Sequence, residues 1–420
     1  MRRVTDNLAA LPLLALALVP VTAANAQPAS GAPGATRVAD AGSAQRNDLS
    51  LSVTARYDSN VPRIDDPALL ARRGYVKEDI RIGPSAQLYV TRAIGRHRVG
   101  LRSSLGYDFY IRNTRLNSER ISVEPFVSLD LPVCDLTVEG QAARSQSELG
   151  DLVFVGLDPT IGLDNIETRK RINGRVVCGD ANGLRPTFEV EHSTGSNDNP
   201  LRQIADYSVT RIQPGVGYAS PGLGEISVYA VKQDTDLPNQ IVPGGRAGGY
   251  SLRGYGVSYR RAIGTRLNFN GSVSRVQITP FGGATPSRSG LNGNIALTLV
   301  ATPRLQLTGF ASRNFTSTLT SSAAFELSEG YGLNATYAAS DRLRLRAGGQ
   351  VSPRRFFYAV VPTGPFIAKQ TQSDMFVGAT YNLNRRMRLT LDGGYQRRDA
   401  DLNLFDYDGY FAAVGVSFSL

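Results

Sequence analysis

Tryptophan is absent from this 420-residue chain, histidine and cysteine occur twice each, and lysine stands only at 77, 170, 232 and 369. Each scarcity narrows what the chain can do. With two histidines there is little scope for imidazole chemistry. His97 follows a short turn, and His192 stands beside Ser193 in "HSTGSN". Successive strand residues point to opposite faces, so that pair is badly placed for a hydrogen-bonded dyad, and no enzyme is expected. No metal-ligand spacing appears, and no cofactor is expected. "GGRAGG" at 244–249 lacks the lysine and the following helix of a phosphate loop. Cys134 and Cys178 do not form a CxxC pair, which leaves a redox motif unsupported but allows one disulfide in an exported chain. After the N-terminus no run of ~18 apolar residues occurs, so no transmembrane helix is expected. That absence does not exclude a membrane protein, because a membrane strand places its apolar residues at every second position.

What is plentiful is glycine (43), tyrosine (18) and phenylalanine (16). The N-terminus reads as a secretory leader over 1–26: Arg2 and Arg3 are the basic start, Leu8 to Val21 the apolar core, and Ala24-Asn25-Ala26 a small-x-small cleavage site. Residues 27–47, rich in Ala, Gly, Pro and Ser, read as a flexible periplasmic lead-in.

From residue 48 to 420 the pattern is alternation in segments of about ten residues. Val99, Leu101, Leu105, Tyr107 and Phe109 share one face, against Arg98, Arg102, Ser104 and Asp108 on the other. "SDRLRLRAGG" from Ser340 sets Arg342, Arg344 and Arg346 against Leu343, Leu345 and Ala347. Eighteen such segments can be counted, with 16 or 20 also within reach. Short turns (Gly95-Arg96, Ile263-Gly264-Thr265, Thr302-Pro303, Asn384-Arg385) alternate with longer connections such as 58–77, 150–164, 234–249 and 353–370. That layout predicts an all-β fold, an antiparallel up-and-down barrel spanning the bacterial outer membrane, with both termini on the short-turn side. Lipid takes the place of a protein core on the aliphatic face, and closure leaves no strand edge unpaired in hydrocarbon. A secreted β-sandwich or propeller is the soluble alternative; it does not account for alternation over the whole chain.

Several residues are singled out by this layout. Arg98, Arg102, Arg266, Arg304, Arg342, Arg344, Arg346, Arg386 and Arg388 lie just after short turns on the polar face, and could form a basic ring at the periplasmic mouth that favours anionic solutes. Pairing with Asp108, Asp374 and Asp392 is the alternative. Tyr57, Tyr75, Tyr107, Tyr218, Tyr255, Tyr259, Tyr331, Tyr337, Tyr381 and Tyr410 sit toward strand ends, as interfacial girdles do. The basic pI implies no nucleic acid, since the charge belongs to a membrane barrel. Centring the hairpin near Gly156 sets Cys134 opposite Cys178, within reach of a disulfide. Gly415, Phe418 and Leu420 in "YFAAVGVSFSL" resemble the C-terminal signal read by the barrel-assembly machinery.

The signal peptide, the Ala/Pro-rich lead-in, the opening strand "LSLSVTARYDSNV" at 49–61 and the "RL-x-L" hairpin returns resemble the second-type beta-barrel porin family of Proteobacteria. Tyr57, Asp58 and Asn60 match the place where such barrels leave the first strand. The resemblance implies a barrel of about 18 strands. It also implies a conduit for exopolysaccharide, working with periplasmic polysaccharide-export proteins. Two alternatives remain: a general diffusion porin for small, anionic solutes, and a structural or adhesive surface barrel. A diffusion porin is expected to fold one long loop into its lumen, for which 58–77 is the best candidate; an export conduit is expected to be wide and smooth.

Overall fold

The computed structural model describes residues 45–147, 149, 164–242, 246–281, 286–316, 323–358 and 366–420. The expected leader, residues 27–44 of the lead-in and the hairpin centre at Gly156 lie outside the described residues. The strands are β1 (Gln45–Asp58), β2 (Asp79–Ile94), β3 (His97–Tyr110), β4 (Ser118–Asp130), β5 (Cys134–Gln146), β6 (Ile166–Cys178), β7 (Gly183–Asn197), β8 (Tyr207–Ser220) and β9 (Gly224–Val242). They continue with β10 (Arg246–Ile263), β11 (Leu267–Pro280), β12 (Arg288–Thr302), β13 (Leu305–Thr316), β14 (Phe325–Ala338), β15 (Leu343–Phe357), β16 (Lys369–Asn382), β17 (Met387–Ala400) and β18 (Tyr407–Ser419). Each strand pairs antiparallel with the next, and β18 returns to β1 from Ser50↔Ser419 through Asp58↔Phe411. The sheet is therefore a closed 18-stranded barrel.

Burial is inverted relative to a soluble domain. Leu105 (58%), Leu333 (58%) and Val377 (62%) are exposed, whereas Arg398 (1%) and Glu326 (4%) are buried. The alternation explains this directly, since apolar side chains point out toward lipid and polar ones point in. Tyr218, Tyr259, Tyr337 and Tyr381 stand toward the short-turn end of the outer face, and Tyr57, Tyr107, Tyr255, Tyr331 and Tyr410 toward the other end. Tyr75 departs from the girdle: it is buried among loop residues.

Three boundaries differ from the sequence reading. Residues 45–47, assigned to the lead-in, already pair with β2, Gln45 opposite Arg92. The segment 234–249, read as a loop, is mostly strand, because β9 runs to Val242 and β10 starts at Arg246, with a register shift between Ala247 and Gly248. Likewise β15 passes Pro353, which stands opposite Thr371, and continues to Phe357. Beyond the hydrocarbon layer the backbone ladder can continue without alternating side chains, so the pattern fades before the strand does.

Candidate functional site

The inner face at the loop end is built by the connection between β1 and β2. Asp66 caps a short helix α1 (Pro67–Arg73) by accepting from the Ala68 and Leu69 amides; Pro67 opens it and Gly74, at φ 69°, closes it. The apolar face of α1, Leu69 and Leu70, packs with Val61, Ile64 and Tyr75 of the same connection. Leu116, Leu149, Ala323, Phe356, Ile367 and Phe405 meet them there, drawn from the β3–β4, β5–β6, β13–β14, β15–β16 and β17–β18 ends. A second apolar cluster joins Val231, Tyr250, Leu252, Val276 and Ile278 to Phe315, Phe325 and Leu327. Ala323 belongs to the first cluster and Ala324 to the second, so the backbone at the start of β14 ties the two clusters together.

The "DSN" of the opening motif anchors this arrangement. Arg63 donates from Nη1 and Nη2 to the two Asp58 carboxylate oxygens at 2.8 and 2.9 Å, and from Nη1 to the Asn60 carbonyl. Asn60 is fully buried; its amide nitrogen donates to Asp65 and to the Asp408 carbonyl on β18, and its side-chain oxygen accepts from Ile64 N. The Val61 amide donates to the Lys77 carbonyl at 2.8 Å, closing the base of the connection. Arg63 takes φ 58°, a conformation that costs a non-glycine residue energy and is held here by these contacts.

Of the arginines singled out by sequence, Arg98, Arg102, Arg344, Arg346 and Arg388 occupy inward-facing strand positions. Arg266, Arg304, Arg342 and Arg386 sit exposed in the short turns, where their carbonyls accept from Val300, Ala338, Asn382 and Ser419. Arg346 pairs with Asp392 at 2.7 Å. Asp108 is held by Arg81 and Arg120, and Asp374 accepts from Gln350. Arg102 lies over the rings of Tyr89 and Phe126. A cluster not singled out by sequence lies on the wall from β6 to β11. There Arg185 and Arg260 flank Glu225 at 3.6 and 3.9 Å, and Arg175, Glu189 and Tyr229 line the same recess. Arg175 and Arg260 stand three residues before a short turn, whereas the expected arginines follow one, and Arg185 stands two residues into its strand.

Inward aromatic rings lie flat on glycines directly across the sheet. Phe126 is opposite Gly100, Phe310 opposite Gly332, Phe376 opposite Gly348 and Phe411 opposite Gly394. A Cβ on any of these glycines would come within 2.2–2.7 Å of the ring. The rings are thus laid along the wall instead of projecting into the lumen.

Cys134 and Cys178 are directly opposed in the β5–β6 ladder and form a disulfide. Gly415 faces inward between the hydroxyls of Thr54 and Thr390, while Phe418 faces outward beside Leu51 and Met387. The Leu420 amide donates to the Leu49 carbonyl. Among the described residues no cluster of His, Cys, Asp and Glu could hold a metal ion.

Residues 284–420 match the family model described as "Putative beta-barrel porin 2". This is the family that the opening motif and hairpin returns resemble. The match covers about the last third of the chain, within a closed barrel placed in the bacterial outer membrane. Among solved structures the chain is similar to the outer membrane protein OpdK from Pseudomonas aeruginosa, at 10% identity and TM-score 0.46 over 89% of this chain and 99% of that one. Pseudomonas aeruginosa OccK2 (OpdF) gives 12% identity and TM-score 0.47 over 89% and 98%, and Acinetobacter baumannii OccAB3 10% and 0.44 over 89% and 99%. No curated protein sequence matches it.

Proposed function

We propose that this porin is a diffusion channel for small, anionic solutes whose outer mouth is constricted by the β1–β2 connection. The observation that carries the reading is the apolar packing of α1 against residues from five other loop ends. A smooth conduit for polymer has no use for such a constriction, whereas a diffusion porin needs one to sort solutes by size. Inward-facing Arg98, Arg102 and Arg344, with the Arg175–Arg185–Arg260 cluster, supply the positive field that would favour anions. No catalytic step is assigned to the lumen.

The exopolysaccharide conduit is the second reading. The ring faces of Phe126, Phe310, Phe376 and Phe411 favour it, since such faces stack on sugar rings. It would need the mouth to open, through contact with periplasmic polysaccharide-export proteins. In both readings the leader is removed before Gln27, residues 27–44 lead into β1, and Gly415, Phe418 and Leu420 present the C-terminus to the barrel-assembly machinery.

Planar-bilayer recording separates them. Small, anion-selective pores that widen when Leu69 and Leu70 are both changed to Ser support the diffusion porin. Large pores in the unmodified protein that pass long oligosaccharides, together with lost polymer secretion in a deletion strain, would establish the conduit instead.

A further inference from the structure

On the outer face of β9–β11, Lys232, Arg253 and Arg275 stand on three neighbouring strands. Lys232 is directly opposite Arg253, and Arg275 is directly opposite Tyr255. All three are exposed, while the inward residues beside them, Val231, Leu252, Ser274 and Val276, are buried. Just toward the short-turn side the same face carries Val228 (57% exposed), Tyr255 (66%) and Val273 (52%). The cations therefore cap the apolar band at its outer edge. A barrel strand rises ~3.3 Å per residue along its own axis. With a tilt of ~35–45°, the eight to ten residues from the short turns to these positions cover most of a ~25 Å band.

Two cations directly opposite each other on one sheet face destabilise it. Several outward cations at this level are neutralised, Arg144 by Glu119 and Asp198, Arg313 by Glu329 and Arg397 by Asp399, and Lys170, which has no ion pair among the described residues, stands opposite the neutral Ala142 and Thr194. Here only Asp234 makes an ion pair, with Lys232 at 2.9 Å. Asp236 stands two residues farther along, and His192 bonds Thr210 on the neighbouring strands. Among the described residues Arg253 and Arg275 form no ion pair. A lipid-facing patch of three cations with one ion pair among them leaves room for an anion from outside the chain. At the outer edge of the hydrocarbon that anion is a headgroup.

We propose that Lys232, Arg253 and Arg275 bind the phosphates of a phosphorylated glycolipid in the outer leaflet, and that this lipid relieves the opposed charges. Guanidinium forks suit phosphate oxygens, and the apolar row beneath would hold the acyl chains.

Two measurements on the full-length refolded protein test this, with lipid A as the probe. In neutral detergent, Lys232→Gln/Arg253→Gln is expected to unfold no more easily than the parent, because opposed charges have been removed. At about fivefold per cation, the pair should bind lipid A roughly 30-fold more weakly and lose most of the lipid-dependent rise in unfolding temperature. Dephosphorylated lipid A should leave the parent's unfolding temperature unchanged. Equal lipid-dependent gains in parent and variant would overturn the proposal. A gain from inorganic phosphate as large as that from lipid A would overturn it in favour of a general anion patch.

Discussion

At the scale of single residues, the barrel asks for opposite chemistry at neighbouring positions. Leu333 lies between the outward Tyr331 and Tyr337, near the middle of the apolar band. Leu333→Arg should cost roughly 2–4 kcal/mol in lipid, as a charge at the bilayer midplane does, measured by urea unfolding in vesicles. Arg344→Ser, on the inner face, should leave stability nearly unchanged and shift ion selectivity. Equal effects of both on folding would mean the faces are misassigned. The glycines carry a second residue-scale test. At Gly332 a Cβ would come within 2.4 Å of the Phe310 ring, whereas at Gly309 nothing lies closer than 3.9 Å. Gly332→Ala should therefore destabilise by about 1–3 kcal/mol through overpacking. Gly309→Ala should be neutral or slightly stabilising, because it only restricts the unfolded chain.

At the scale of elements, the disulfide and the β1–β2 connection do different work. The bond between Cys134 and Cys178 closes a loop of 44 residues at the short-turn end of β5 and β6. Removing it with Cys134→Ser should cost about 2–4 kcal/mol without altering conductance, and unreduced, denatured parent protein should show no free thiol. The β1–β2 connection hangs on Asp58, which accepts from both terminal nitrogens of Arg63 at 2.8 and 2.9 Å. Asp58→Asn should loosen α1 and raise conductance in planar bilayers; unchanged conductance would place the anchor elsewhere.

At the scale of the whole molecule, closure is what makes a single layer of strands stable. Among the described residues the sheet keeps no free edge once β18 meets β1, as hydrocarbon requires of a spanning backbone. The folded protein should migrate as a compact species in cold detergent gels and shift to its full apparent mass only on boiling. Recovery in the soluble periplasmic fraction would contradict the membrane barrel.

The sequence by itself determined a barrel of about 18 strands, with 16 or 20 within reach, the inward and outward faces and the opposition of Cys134 to Cys178. A period of two is local, and a hairpin register follows from counting residues about a turn. Helix α1 was legible in principle, from Asp66-Pro67 at its start and Gly74 at its end, but a seven-residue helix leaves almost no periodicity to find. Only the tertiary structure decided what α1 touches. Leu69 and Leu70 share one buried apolar cluster with Leu116, Ala323 and Phe405, residues brought together by barrel closure and by no spacing in the chain. Arg266 and Arg386 remain in the turns because each stands one residue before its strand begins. Alternation is fixed within a strand by the pleat, whereas loop packing depends on where all eighteen strand ends meet in space.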